Sequence, residues 1–236
     1  MRHLGALHAT KFSGPGLRVL PSLGSGGGIK GVIQGTLDVG ISGRPLTDNE
    51  LAKGVQAIVL GRTAVVLATS RSGVTDITIQ RIKNALEWTE VRWPDGAPMR
   101  LVLRPADDAD NQILTRYSAP VGAALSVALA RPGVTIAQTD QDAADLLERV
   151  QGSLGLTTLA LLRSEERKLN VLTLDGHQPV RAGQLNPDYP LTKELYLIVR
   201  AEPSAAVQSF LQVVRSNDGL AVLRRNGIVP HAHLSR

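Results

Sequence analysis

Apolar residues recur along the chain with two periods. Val207, Phe210, Leu211 and Val214 step by threes and fours, as do Ala143, Leu146, Leu147 and Val150. That spacing predicts helices with one buried face. Elsewhere the apolar residues gather in short runs at 55–60, 63–69, 99–103, 134–137, 168–174 and 195–199. Runs of that length between turn residues read as strands. Shorter strands are expected at 17–20 and 37–41, and a glycine loop over 21–28. Further helices are predicted at 2–12, 29–34, 77–88, 111–129 with an interruption near Pro120, and 219–225. Thr47-Asp48-Asn49-Glu50 is a capping box, Thr139 an N-cap, and Pro203 fits the first turn of a helix. Ser13-Gly14-Pro15-Gly16 and Asn226-Gly227 are helix stops. Strands alternating with helices predict an α/β protein with a largely parallel sheet.

Composition narrows the function classes. The 236 residues are 43% hydrophobic, enough for one or two packed domains and too apolar for a disordered chain. No apolar run approaches the ~20 residues of a membrane helix, so a membrane-spanning protein is not expected. The absence of cysteine removes disulfides, thiolate zinc sites, iron–sulfur centres and cysteine nucleophiles together. The net charge of +5 is carried by scattered Lys and Arg, and only 3% of residues are aromatic. Nucleic acid, which needs stacking platforms and clustered charge, is a poorer partner than a small anion. The first residues, Met1-Arg2-His3-Leu4-Gly5-Ala6-Leu7, lack the apolar core of a signal peptide, and read literally predict a product that is not exported.

Two segments carry the candidate chemistry. Leu20-Pro21-Ser22-Leu23-Gly24-Ser25-Gly26-Gly27-Gly28-Ile29-Lys30 runs from strand to glycine loop to helix start. Glycines let main-chain N–H groups converge on an oxyanion, and the helix start adds partial positive charge. The alternative is a tight turn with no ligand. Gly26-x-Gly28-x-x-Gly31 also fits a dinucleotide fingerprint, but the helix it opens meets Gly35 too soon, and the residues around Lys30 do not make a P-loop. In the second segment, Asp38-Val39-Gly40-Ile41-Ser42-Gly43-Arg44-Pro45-Leu46, a strand empties into Ser42 and Arg44. Ligands sit at such strand ends, and the arginine fork suits a tetrahedral anion. The alternative is an arginine paired with Asp48 or Glu50. Of five histidines only His231 and His233 are close, and neither a nucleophile elbow nor paired catalytic carboxylates can be found. Asp107, Asp108 and Asp110 secure too few oxygens for a divalent ion.

Taken together, Gly-Ser-Gly-Gly-Gly-Ile-Lys followed by Gly-Thr-Leu-Asp-Val-Gly-Ile-Ser-Gly-Arg-Pro-Leu resembles the phosphate-binding proteins of phosphate ABC transporters. Trp88 after its helix, Leu103-Arg104-Pro105, Asp175-Gly176, Tyr189-Pro190-Leu191, Phe210-Leu211, Ser216 and Gly227-Ile228-Val229-Pro230 extend the similarity from Leu17 to Pro230. The resemblance implies a two-lobed type II periplasmic binding fold. Its first strand and first anion-binding loop are missing from the given chain. One lobe is expected at 1–69 plus 184–236 and the other at 70–183, with hinge crossings near 69–73 and 175–183 and the ligand between them. It further implies a non-enzymatic solute-binding protein without a cofactor, in the periplasm or outside the cell, taking phosphate or a related oxyanion. Its partners would be an ABC permease and ATPase.

The expected ligand groups are the amides of Ser25, Gly26, Gly27 and Gly28, the hydroxyls of Ser25 and Ser42, and the guanidinium groups of Arg44 and, by the resemblance, Arg104. Where the family often has Ser-Gly-Thr, this chain has Ala106-Asp107-Asp108-Ala109-Asp110-Asn111. A carboxylate there, such as Asp110, could accept the proton of hydrogen phosphate and reject sulfate, or the run could simply cap a helix. In the second case a vestigial or ligand-sensing module on the same fold is the alternative to transport.

Overall fold

A computed structural model of the chain describes residues 1–12 and 16–235. The expected helix stop at Ser13-Gly14-Pro15 lies outside them. The chain divides into two compact units, Met1–Thr63 with Lys193–Arg236, and Ala64–Thr192. The second unit is larger at both ends than the 70–183 expected from the sequence. Ala64, Val65, Val66 and Leu67 belong to its apolar core, as do Leu185, Tyr189 and Leu191, so both stretches go with the side chains they pack against.

In the first unit a helix Arg2–Lys11 is followed by residues 16–23, which form neither helix nor the strand expected at 17–20. Next come the helix Gly24–Gln34, the strand Gly40–Ser42 and a single helical turn, Asp48–Leu51. The strand Gly40–Ser42 lies antiparallel to Thr192–Arg200, with Gly40 opposite Ile198 and Ser42 opposite Tyr196. Thr192–Arg200 neighbours the strand Val55–Thr69, whose first half pairs antiparallel with Ile228–Pro230. Ile29 and Val32 of the Gly24–Gln34 helix pack with Val55 and Ile198. Helices Ala205–Arg215 and Asn217–Arg225 pack with Arg2–Lys11, and the His8 ring stacks on Phe12 and meets Ser209 Oγ at 2.9 Å. Ser204 caps the first of the two, so Pro203 precedes the helix instead of standing in its first turn as expected.

The sequence splits 55–69 into two strands at Gly61-Arg62, yet the strand is continuous. Gly61 allows this because a Cβ there would stand 2.1 Å from the Val229 carbonyl oxygen, which no side chain could tolerate. The missing side chain permits close pairing where it was read as a break.

In the second unit the strand Ser153–Thr158 runs antiparallel to the second half of Val55–Thr69, and parallel to Arg100–Leu103 on its other side. Arg100–Leu103 is parallel in turn to Thr135–Ile136. The sheet is therefore mixed, not largely parallel. Parallel neighbours arise where helices carry the chain back across the sheet: Ala109–Tyr117 and Ala119–Leu129 between the first two of these strands, and Asp140–Arg149 between the next two. Pro120 sits in the first turn of its helix, where its missing N–H leaves no acceptor unsatisfied. Thr139 and Asp142 form a capping box, and Thr78 caps Ile79–Leu86, so that helix is shorter than the 77–88 expected.

Candidate functional site

The glycine run is helical. Gly24-Ser25-Gly26-Gly27 forms the first turn of Gly24–Gln34 rather than a loop before it. Gly24 enters with φ of +67°, a conformation glycine takes without a Cβ clash. A helix beginning here sets the Gly27 and Gly28 amides toward carbonyls four residues back, Leu23 and Gly24, in place of the open loop expected from the sequence. Ser22 Oγ accepts the Gly24 N–H at 3.3 Å. The amides of Ser25 and Gly26 lie in the first turn, where no carbonyl of the helix four residues back is there to accept them. The N-cap residue, Leu23, makes no side-chain capping bond and no acidic residue occupies the first turn, so no negative charge of the first turn offsets the positive partial charge of this end. At the other end the Gly35 N–H reaches the Gly31 and Val32 carbonyls, and the Arg200 guanidinium occupies the space a Gly35 side chain would take.

Two glycines fix this helix on its strand. A Cβ on Gly28 would stand 3.1 Å from the Ile41 carbonyl oxygen, and one on Gly40 would stand 2.9 Å from the Gly28 carbonyl oxygen. Backbone meets backbone, which sets the helix start beside the loop after Ser42. Ser25 Oγ accepts the Gly43 N–H at 2.9 Å, tying the first helical turn to that loop and leaving the hydroxyl proton available for donation.

Ser42 and Arg44 are placed differently from expectation. Ser42 is fully buried; its Oγ donates to the Arg44 carbonyl at 2.7 Å and accepts the Arg44 N–H at 3.1 Å, so its hydroxyl closes a turn instead of facing a ligand. The Arg44 fork grips Glu50, with Nη1 to Oε2 at 2.9 Å and Nη2 to Oε1 at 2.8 Å, while Nη1 also donates to the Pro45 carbonyl at 2.9 Å. The capping box explains why. Thr47 Oγ1 accepts the Glu50 N–H, and the Thr47 N–H donates to Glu50 Oε2 at 2.8 Å, which brings the carboxylate back to the arginine. Hydrogen bonding from Arg44 is the main cause that pulls the Glu50 carboxyl down to about 2.

In the second unit Arg104 follows the strand Arg100–Leu103 and is only 3% exposed. Nη1 donates to the Ala137 carbonyl at 3.1 Å, and Nη2 meets Asp108 Oδ2 at 2.6 Å and Asp140 Oδ1 at 3.1 Å. Burial opposes its charge, but Asp140, Asp108 and, more weakly, Asp110 sustain it. Asp108 also caps the helix Ala109–Tyr117, accepting the Asp110 N–H at 2.9 Å, and Asp110 is fully buried. Arg104, expected to meet an anion, here has its guanidinium on the carboxylates of Asp108 and Asp140.

Lys193 reads in the sequence as one scattered cation. It is an inward position on the strand Thr192–Arg200, 9% exposed, and its side chain lies along Gly43. Among the described residues no group of three His, Asp or Glu side chains could hold a metal ion, and no helix is long and apolar enough to cross a membrane.

The arrangement is that of a known fold. A protein from Clostridium perfringens, assigned as a phosphate ABC transporter substrate-binding protein and solved with bound phosphate, aligns with a TM-score of 0.75 and 16% identity over 98% of this chain and 93% of its own. A phosphate-binding protein from Stenotrophomonas maltophilia aligns at 0.66 and 14%, covering 96% and 88%. The periplasmic molybdate-binding protein of Azotobacter vinelandii aligns at 0.65 and 14%, covering 98% and 94%. At such identities the likeness is one of fold. No curated protein matches the chain in sequence. The family model described as the PBP superfamily domain matches residues 9–218, and the chain belongs to that superfamily.

Proposed function

We propose that the protein is a non-enzymatic solute-binding protein that takes phosphate or a similar tetrahedral oxyanion and delivers it to the permease and ATPase of an ABC importer, in the periplasm or outside the cell. One observation carries the reading: the start of the helix Gly24–Gln34 has no bond from its N-cap side chain and no acid in its first turn, and the Ser25 and Gly26 amides there have no carbonyl four residues back within the helix to bond. An anion that sheds its water there gains two main-chain donors, the Ser25 hydroxyl and the helix dipole. The fold supports it, since the proteins it resembles include binders of phosphate and of molybdate. In this reading Arg44 braces the loop beside the site, and Arg104 braces the carboxylates of the second unit.

Thermal unfolding against phosphate, arsenate, sulfate, molybdate and tungstate tests it. An anion at a hundred times its dissociation constant should add ~2.7 kcal/mol of stability. For a chain of this size each ~1 kcal/mol raises the midpoint by about 2–4 °C, so a bound anion should raise it by several degrees. A flat response to all five anions would remove the transport reading and leave a module that does not bind them.

A further inference from the structure

Two helices of the second unit leave a groove between them. Ala109–Tyr117 and Ala119–Leu129 pack on one another across a turn at Ser118. Gly122 lets them approach, because a Cβ there would run into the Thr115 side chain. Beside that contact lies about 500 Å³ of open space, within the ~300–1,000 Å³ of small-molecule sites. All of its lining belongs to the second unit, and Ala123, Leu125 and Leu129 make one side of it apolar. The polar side is unfinished. Asn111 is only 4% exposed, and its Nδ2 donates to the Arg104 and Pro105 carbonyls at 3.0 and 2.8 Å. Two carbonyl partners fix which end of the amide is which, and the other end, Oδ1, accepts no hydrogen bond among the described residues. It is not one of the polar atoms sealed from water without a partner, so solvent reaches it, from the groove that Asn111 lines. Next to it, Gln112 gives its Nε2 to the Asp107 carbonyl at 3.3 Å, which leaves its Oε1 as a second acceptor. Arg116 also lines the groove, one helical turn or about 6 Å beyond Gln112, and makes no ion pair or hydrogen bond among the described residues.

We propose that this groove binds a small organic carboxylate that carries a hydrogen-bond donor at the far end of a short apolar chain. The carboxylate meets Arg116, whose planar fork can take both oxygens. The donor meets Asn111 Oδ1 and Gln112 Oε1, and a buried amide oxygen recovers the cost of lacking a partner. The chain between them covers the apolar side. The site uses the second unit alone and does not depend on the oxyanion reading of the first.

Amide NMR on the isotope-labelled whole chain, titrated with 6-aminohexanoate, provides the test. Saturable shifts gathered on residues 106–129 are expected, with a dissociation constant on the order of 1 mM. Hexanoate lacks the donor and hexylammonium lacks the carboxylate, so each should bind about 5- to 10-fold more weakly. Arg116→Gln, a change at an exposed position, should lose about 10-fold. If it does not fold, Ala123→Leu serves instead: that position is also exposed, the longer side chain takes up the groove, and the same loss is expected. The proposal is overturned by the absence of saturable binding, by shifts scattered over the chain, or by unchanged affinity in a folded Arg116→Gln or Ala123→Leu. Hexanoate or hexylammonium binding as tightly as 6-aminohexanoate overturns the two-ended ligand. Inorganic phosphate moving the same signals as strongly overturns it too, while phosphate shifts confined to the first unit leave it standing.

Discussion

The residue with the most informative placement is Arg44, because its chemistry was legible in the sequence and its partner decided its use. An arginine after a strand can clamp an anion or a carboxylate, and the capping box at Thr47 delivers the carboxylate of Glu50. Arg44→Ala is therefore expected to change phosphate affinity less than threefold, while lowering stability by about 1 kcal/mol, the upper range for a partly exposed ion pair. Denaturant unfolding and calorimetry on the same variant check both; a large loss of affinity with unchanged stability would return Arg44 to the anion. The pH dependence has a definite sign. Glu50 lies at about 2 in the fold against roughly 4.3 in an unfolded chain. Its contribution is thus complete above ~4.3 and disappears as pH falls through about 2. The midpoint difference between the parent and Glu50→Gln should close over that interval. Arg104 presents the buried version of the same competition. Asp108→Ala removes one carboxylate from a 3% exposed guanidinium and the cap of a helix, and should cost roughly 3 kcal/mol.

The helix Gly24–Gln34 shows where an element hides from its sequence. Five of its eleven residues are glycine, and each disfavours helix by ~1 kcal/mol relative to alanine, so local preference reads a loop. Packing reverses that reading. Ile29 and Val32 enter the core, and the bare backbones of Gly28 and Gly40 touch. Contacts between distant segments are not visible in a glycine's neighbours. By contrast, the capping box at Thr47 and the cap at Thr139 were legible because their partners lie within three residues. The two kinds of glycine in this helix separate in a mutational test. Gly28→Ala places a Cβ 3.1 Å from a carbonyl oxygen and should destabilise by about 1–3 kcal/mol despite the better helix former. Gly26→Ala meets nothing within 4 Å and should stabilise the free protein by about 0.4–1 kcal/mol. A helical Cβ leans toward the N-terminus, so the new methyl stands in the path of an anion on the Ser25 and Gly26 amides and should weaken phosphate binding. A Gly26→Ala protein that is both more stable and equally tight would move the anion off that helix end.

At the scale of the whole chain, the α/β class and most elements were legible from periodicity and caps, while strand direction and unit boundaries were not, because they depend on which distant strands pair. The three tyrosines report on both units. Tyr196 in the first unit is pushed up to about 12 by burial and by its hydrogen bond to Glu194. Tyr189 and Tyr117 in the second are also raised. Burial is the main cause for each, and Tyr117 also donates to Asp175 at 2.9 Å. Each neutral phenol is favoured by the fold, so its share of stability is complete below the unfolded value of ~10 and is lost as pH climbs through the folded values. Absorbance near 295 nm should therefore stay flat through pH ~10 while circular dichroism remains native. Tyrosinate should then appear either with Tyr196 at about 12 or abruptly as the chain unfolds in alkali. Tyr196→Phe should reduce the dependence of stability on pH between ~10 and about 12, because its half-buried ring keeps its place but no longer has a proton to lose. A tyrosinate titrating near pH 10 in a folded chain would show that at least one of these phenols is more open to water than its placement implies.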